Sequence, residues 1–169
     1  LEPFCLPMWP IGADDKCQIG IDCARMDGDR TVFVVRRGWN IVDIIERGRV
    51  KTPEIVEITK QLCEREGAIT YWLSQGGDRT ERAREFASLP QIERLDFYPM
   101  VVLDLGGGYG TGPLDDLELD GYTNVTGVNF GESAWDSERF ANLAAEMWCD
   151  TLKSLMPMLS FEAVKKIDG

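Results

Sequence analysis

Three segments near the start of the chain have the alternating apolar and polar pattern of β-strands. The first, 17–24, alternates isoleucine or cysteine with small or polar residues. The second, 31–36, reads TVFVVR, and the third, 40–46, reads NIVDIIE. Turn-like residues at 26–29 and 37–38 separate these segments, so the pattern predicts three antiparallel strands joined as a meander.

The rest of the chain predicts helices that alternate with two more strands. Thr52 as N-cap and Pro53 as the first helical residue begin a helix with apolar residues at helical spacing, and Gly67 is its expected end. The later elements are a break at Gly76-Gly77, a charged helix over 78–88, a strand over 101–105, a helical turn over 114–119, a strand over 124–130 and a final helix from Asp136 or Ser137. This order predicts an α/β fold with an antiparallel start and a parallel continuation.

The length of 169 residues is enough for one domain with its own core. Residues 1–16 contain three prolines and are expected to be a linker or tail, and 17–169 to be the domain. No apolar run approaches the roughly 18 residues of a membrane span, and the first residues lack the pattern of a secretory signal. Five cysteines without a CxxC pair predict free thiols in the cytoplasm.

Charge and composition exclude several classes of function. The 18 basic and 29 acidic residues give a net charge of −11, which argues against nucleic-acid binding by bulk charge. The absence of histidine excludes Ser-His-Asp and Cys-His catalysis and histidine-bound zinc. Carboxylates, glycine-rich backbone or a thiol must therefore carry any chemistry.

Two aspartates interrupt predicted apolar strands. Asp22 lies between the small residues Gly20 and Ala24, and Asp104 lies near the end of the VVLDL strand, before GGGYGTG. A carboxylate in such a place is costly to bury unless a cation or donor meets it, and ligands gather outside the carboxyl ends of strands in α/β sheets. The pair suggests two Mg²⁺ or Mn²⁺ ions for phosphoryl chemistry, although for an isolated aspartate the capping of a turn is the commoner role.

Several segments in order resemble the nuclease domain of bacteriophage terminase large subunits. They are GIDCAR at 20–25, GDRTV at 28–32, Arg37-Gly38, VLDLGGGYG at 102–110, LDDL at 114–117, Gly121-Tyr122, VNFG at 128–131, RFAN at 139–142 and AEMW at 145–148. The resemblance implies a ribonuclease-H-like mixed sheet flanked by helices. It implies a metal-dependent endonuclease that hydrolyses concatemeric double-stranded DNA during packaging in the cytoplasm of the host bacterium. Its partners would be the terminase ATPase domain, the small terminase subunit and the portal.

The resemblance assigns Asp22 and Asp104 as catalytic metal ligands and places Asp29 near them. The family's third acidic ligand lies in a segment Ser-Pro-Asp-x-x-Asp-Ala that nothing here matches, and Asp150 and Asp168 have the wrong spacing. The third ligand is therefore not identified, and the domain is expected to be truncated at its C-terminal end. The Walker motifs of the family's motor are also missing.

The VLDLGGGYG segment also resembles motif I of class I methyltransferases, whose glycine loop holds S-adenosylmethionine. Residues 125–129 resemble the strand that binds the ribose, but Asn129 replaces the usual acidic residue. The strand-rich start and the short remainder after Gly131 also differ from that family. Methyltransferase activity is the alternative function.

Overall fold

The computed structural model of the chain describes residues 11–12, 14–24 and 29–155. The strands are β1 (Cys17–Asp22), β2 (Arg30–Arg37), β3 (Asn40–Gly48), β4 (Met100–Asp104) and β5 (Val125–Val128). The α-helices are α1 (Thr52–Gln75), α2 (Arg79–Ser88), α3 (Gln91–Arg94), α4 (Thr111–Leu119) and α5 (Leu143–Leu155), with short 3₁₀ turns at Leu95–Phe97 and Gly106–Gly108. Contacts divide the chain into two compact units, Leu1–Val128 and Asn129–Gly169. The first unit contains the sheet, and the second contains α5.

The five strands form one mixed sheet in the order β3-β2-β1-β4-β5. Strands β1, β2 and β3 pair antiparallel, whereas β4 pairs parallel with β1 and β5 pairs parallel with β4. The predicted α/β class, with an antiparallel start and a parallel continuation, is therefore confirmed. The predicted turn at 26–29 falls largely outside the described residues, as do 1–10 of the predicted linker.

The core of the first unit lies on one face of this sheet. Alternate residues of β1, β2 and β4 are buried there because side chains two apart on a strand share a face. These residues are Ile19, Ile21, Phe33, Val35, Val101 and Leu103. Helix α1 contributes Ile55, Leu62 and Cys63 to the same cluster. Burial of each large apolar side chain contributes about 1.5–3 kcal/mol.

Helix α1 does not end at Gly67 as predicted; it continues to Gln75 and ends at Gly76, which has a φ of 69°. A Cβ at Gly67 would lie 2.7 Å from a ring carbon of Tyr98 and 2.8 Å from one of Phe86. Glycine in a helix costs about 1 kcal/mol, and here it allows two rings to contact the helix backbone. Gly67 is thus a packing residue.

Helix α5 begins at Leu143, so the predicted start at Asp136 or Ser137 is wrong. The side chain of Asn142 accepts a hydrogen bond of 2.9 Å from the amide of Ala145, which caps the helix at that point. The buried carboxylate of Glu146 accepts bonds from the amides of Trp135 and Asp136, so the preceding segment is held as a loop.

No helix among the described residues has the length and apolar character needed to cross a bilayer.

A buried ion pair joins the sheet to α1. Arg37 and Glu66 are each 3% exposed, and Arg37 Nη2 lies 3.1 Å from Glu66 Oε2. Arg37 also donates to Thr70, and Glu66 accepts from Arg65 and from the thiol of Cys17. Burial, followed by smaller charge effects, raises the pKa of Cys17 to about 12, so this thiol is protonated and donates. The charges are therefore compensated within the fold.

We predict that Glu66→Leu lowers the free energy of unfolding by about 3–5 kcal/mol, because it leaves the Arg37 guanidinium buried without its carboxylate. Urea unfolding followed by circular dichroism measures this change. Glu46→Gln is the matched control, since the Arg30–Glu46 pair is exposed and its loss costs less than about 1 kcal/mol. Equal effects of the two substitutions would contradict the assigned role of the buried pair.

Candidate functional site

The parallel pairing of β1 and β4 brings Asp22 and Asp104, the two aspartates singled out in the sequence, to the same end of the sheet. Ile21 lies opposite Leu103 in the register, and Asp22 and Asp104 are the next residues and the last ones of their strands. Asp22 is exposed and Asp104 is half-buried. Two carboxylates therefore stand side by side at the carboxyl ends of neighbouring strands.

An open cleft of about 410 Å³ adjoins Asp22. Its lining residues are Asp22, Cys23, Ala24, Asp29, Arg30, Gly106, Gly107 and Tyr109. Asp29 therefore lies near Asp22, as the resemblance implied. A Cβ built on Gly20, two residues before Asp22 on the same face of β1, would meet nothing within 4 Å. The surface around Asp22 is thus accessible to a ligand.

The glycine loop after β4 folds back onto Asp104. The amide of Gly106 donates a 2.7 Å hydrogen bond to Asp104 Oδ1, which fixes the orientation of that carboxylate. Gly107 and Gly108 have φ values of 70° and 83°, a region that side chains disfavour. A Cβ on Gly110 would lie 2.2 Å from the carbonyl oxygen of Asp104, closer than two such atoms can approach. The backbone conformation of the loop and its close contact with β4 therefore require glycine at these positions.

A side chain of β2 also holds the backbone that follows β1. The buried hydroxyl of Thr31 accepts a 3.1 Å hydrogen bond from the amide of Ala24. Arg30, at the wall of the cleft, forms a 2.8 Å ion pair with Glu46 of β3. The basic side chain among the described lining residues is thus already bound to a carboxylate, and Asp22, Asp29 and Asp104 give this end of the sheet an acidic character.

Cys23 has an environment that argues against a chemical role for its thiol. The residue is 6% exposed. Burial, then the negative charges of Asp22 and Asp104, raise its pKa to about 11. The thiol is therefore protonated at neutral pH, whereas a nucleophile or a thiolate ligand must lose its proton.

The donor set is consistent with a hard divalent cation, but it is incomplete. Carboxylate oxygens are the ligands that Mg²⁺ and Mn²⁺ prefer, and Asp22 and Asp104 offer four. Within the part of the chain that the structure describes, no group of three or more acidic or cysteine residues is arranged to hold a metal ion. Asp150 forms an ion pair with Lys153 on α5, and Asp168 lies outside the described residues. A third protein ligand is therefore not assigned.

Tyr109 and Arg30 are cleft residues that the sequence analysis did not assign to the site. Tyr109 is 40% exposed, and its ring lies against the backbone of Gly107, where a Cβ would come within 3.1 Å of it. Its position within the glycine loop was a usable signal, because the loop follows directly from Asp104. Arg30 follows Asp29, which the resemblance places near the site, but the position of its side chain at the cleft wall depends on the pairing of β2 with β1.

Comparisons of the chain with models of protein families, with curated proteins and with solved structures found no match.

We predict that Gly110→Ala destabilises the protein by about 1–3 kcal/mol, because the new methyl group displaces the loop from the Asp104 carbonyl. Thermal unfolding with and without the substitution measures the loss. Gly112→Ala is the control, since its Cβ would lie 3.4 Å from the side chain of Thr52, near ordinary contact. The close approach described for the loop would be disproved if both variants were equally stable.

A second prediction concerns the charge near Cys23. Asp104→Asn removes a negative charge that raises the thiol pKa, so the pKa falls below about 11 and the thiolate fraction rises. Alkylation of the Cys23-containing peptide by iodoacetamide, followed by mass spectrometry at a fixed mildly alkaline pH, should become faster. Asp22→Asn should act in the same direction. Asp96→Asn, which precedes β4 at its other end, should leave the rate unchanged.

Proposed function

We propose that the chain is a divalent-metal-dependent endonuclease with a ribonuclease-H-like fold, related in function to the nuclease domain of terminase large subunits. The observation that carries the proposal is the juxtaposition of Asp22 and Asp104 at the ends of adjacent parallel strands. The strand order β3-β2-β1-β4-β5, with its antiparallel half and its parallel half, supports the same fold. The sequence segments that resemble the family surround both aspartates.

In this proposal Asp22 and Asp104 hold two Mg²⁺ or Mn²⁺ ions. Such ions supply Lewis acidity for hydrolysis of a phosphodiester bond, acting on both the attacking water and the leaving 3′ oxygen. The Gly106 amide keeps the Asp104 carboxylate in one orientation before any ligand arrives. The open cleft beside Asp22 leaves room for a DNA backbone, and no nucleophilic side chain is required.

Electrostatics suggest that the chain binds DNA weakly when isolated. Its net charge is −11, and the cleft is lined by acidic residues while Arg30 is paired with Glu46. Repulsion between these charges and the phosphates opposes binding, and bound cations reduce it. We therefore propose that a packaging motor, a small terminase subunit and a portal concentrate double-stranded DNA at the site in the bacterial cytoplasm. Contacts with phosphates would give little sequence preference.

The methyltransferase alternative receives less support from the geometry. Its glycine loop would have to offer backbone amides to S-adenosylmethionine, whereas the Gly106 amide here is bonded to Asp104. The Gly110 backbone also lies in close contact with the end of β4, so no open space for a ligand adjoins it on that side. Strand β4 also lies beside β1, which continues into an antiparallel meander. Binding of S-adenosylmethionine nevertheless gives a clear test of this second function.

We predict that the chain nicks supercoiled plasmid DNA in the presence of Mn²⁺ and not in the presence of a chelator. Asp22→Asn and Asp104→Asn should each reduce the rate at least about 100-fold, equivalent to about 2.7 kcal/mol of transition-state stabilisation. Gel electrophoresis of time courses at low salt measures nicking. Isothermal titration with Mn²⁺ gives a second readout, in which each variant should bind fewer ions or bind them more weakly.

Asp96→Asn is the matched control, because Asp96 is exposed and precedes the opposite end of β4. It should cleave and bind Mn²⁺ as the unsubstituted chain does. Cleavage that persists in both Asp22→Asn and Asp104→Asn would assign the activity elsewhere. Absence of Mn²⁺ binding, together with tight binding of S-adenosylmethionine, would overturn the nuclease in favour of the methyltransferase.

A further inference from the structure

A second concave surface lies at the other end of the sheet from Asp22 and Asp104. It is a groove of about 420 Å³. Arg37 lines it and lies opposite Cys17, the first residue of β1, whereas Asp22 is the last residue of that strand. The groove residues are Ile11, Arg37, Val42, Asp43, Arg65, Glu66, Ile69, Trp72, Leu73 and Arg79. Helix α1 forms one wall and β3 forms the other.

Strand β3 is an edge of the sheet and pairs with no other described strand on its outer side. It is nine residues long and contains no proline. Ile41 and Ile44 on this strand are 54% and 56% exposed. A long edge with exposed apolar side chains offers backbone hydrogen-bonding groups to a further strand.

A bulge in β3 turns two of its residues toward the groove. Asp43 lies opposite Val35 and Ile41 lies opposite Arg36, so Val42 is an extra residue between two paired positions. Val42 and Asp43 both line the groove as a result. Val42 thus adds an apolar side chain of β3 to the wall made by Ile69 and Leu73 of α1. Ile41 and Ile44 pair with Arg36 and Val34 and lie on the opposite face of the sheet.

Among the described residues, the charges in the groove leave one cation, Arg79, without a carboxylate partner. Arg37 is paired with Glu66, and Arg65 is paired with both Glu66 and Asp43. Arg79 forms no ion pair with any residue that the structure describes; its guanidinium lies 5.6 Å from the centre of the Trp72 ring. The lining thus combines apolar walls with one excess positive charge at Arg79.

We propose that β3 and this groove bind an extended segment of a partner protein by strand addition. An added strand places every second side chain on the side of α1, where an apolar residue packs against Val42 and Leu73. An acidic residue of the same segment pairs with Arg79. The proposal does not depend on nuclease activity, because it uses the opposite end of the sheet.

The edge strand is what distinguishes an extended peptide from a small organic anion. A small anion would use the apolar walls and Arg79 but would leave the backbone groups of β3 and the exposed Ile41 and Ile44 uncovered. A peptide strand pairs with those backbone groups and covers side chains on both faces of β3. The observations therefore favour a peptide with alternating apolar positions and an acidic residue.

Selection of random decapeptides displayed on phage, with the full 169-residue chain as the target, tests this site. Selected sequences should share apolar residues at alternate positions and a carboxylate. Binding of a fluorescently labelled synthetic copy is then measured by anisotropy. Arg79→Gln should weaken binding about three- to fivefold, as expected for loss of an exposed ion pair. Val42→Lys should weaken it about tenfold or more, because a charge replaces an apolar contact.

Arg84→Gln is the matched control, since Arg84 lies on α2, as Arg79 does, but outside the groove lining; it should bind normally. Methylation of alternate peptide amides should abolish binding, because it removes the donors that pair with β3. Circular dichroism confirms that the variants are folded. Failure to enrich any sequence, unchanged binding by Val42→Lys or Arg79→Gln, or full binding of the methylated peptide would each overturn the proposal.

Discussion

The parallel register between β1 and β4 determines which side chains lie together at the carboxyl ends of these two strands. With Ile21 opposite Leu103, their buried side chains lie on the core face and the following aspartates emerge together at the strand ends. A shift of one residue would turn these apolar side chains to the other face and separate Asp22 from Asp104. The burial of Ile19, Ile21, Val101 and Leu103 thus holds two mutually repelling carboxylates side by side.

Charged side chains pair with one another at one end of the sheet, whereas acidic side chains collect beside a cleft at the other end. At one end Arg37 and Glu66 neutralise each other within the core, and Thr70 and Cys17 satisfy their remaining hydrogen bonds. At the other end Asp22 and Asp104 accumulate negative charge beside an open cleft, and the Gly106 amide is the one hydrogen-bond donor to either of them among the described residues. Charge that the fold compensates internally serves stability, and charge that it leaves uncompensated is available for a ligand.

The sequence predicted the features that local patterns encode. Alternation gave β1 and β2, and the glycine pair at 76–77 marked the break before α2. Pro53 marked the start of α1 to within one residue, because Thr52 is the first helical residue and Lys51, not Thr52, is the N-cap. The predicted mixture of antiparallel and parallel strands is confirmed. These successes share one cause, since strand alternation and helix termini depend on residues close together in the chain.

The errors and omissions arise from contacts between distant residues. Gly67 indicated a helix end because its partners, Phe86 and Tyr98, are far along the chain. The start of α5 was placed too early because the hydrogen bonds that the amides of Trp135 and Asp136 donate to Glu146, which hold a loop, have no sequence signature. The bulge at Val42 depends on the register of β3 with β2, and the approach of Arg30 to the cleft depends on the pairing of β2 with β1. The alternation along a single strand fixes neither.

Gly110 has a consequence for how natural variation at this site should be interpreted. Every codon change away from glycine introduces at least a side-chain carbon, which the Asp104 carbonyl does not accommodate. Purifying selection at residue 110 would therefore act on backbone shape even in a descendant that had lost all chemistry. An invariant glycine there would record the ancestry of the fold, whereas retention of Asp22 and Asp104 would record use of the site.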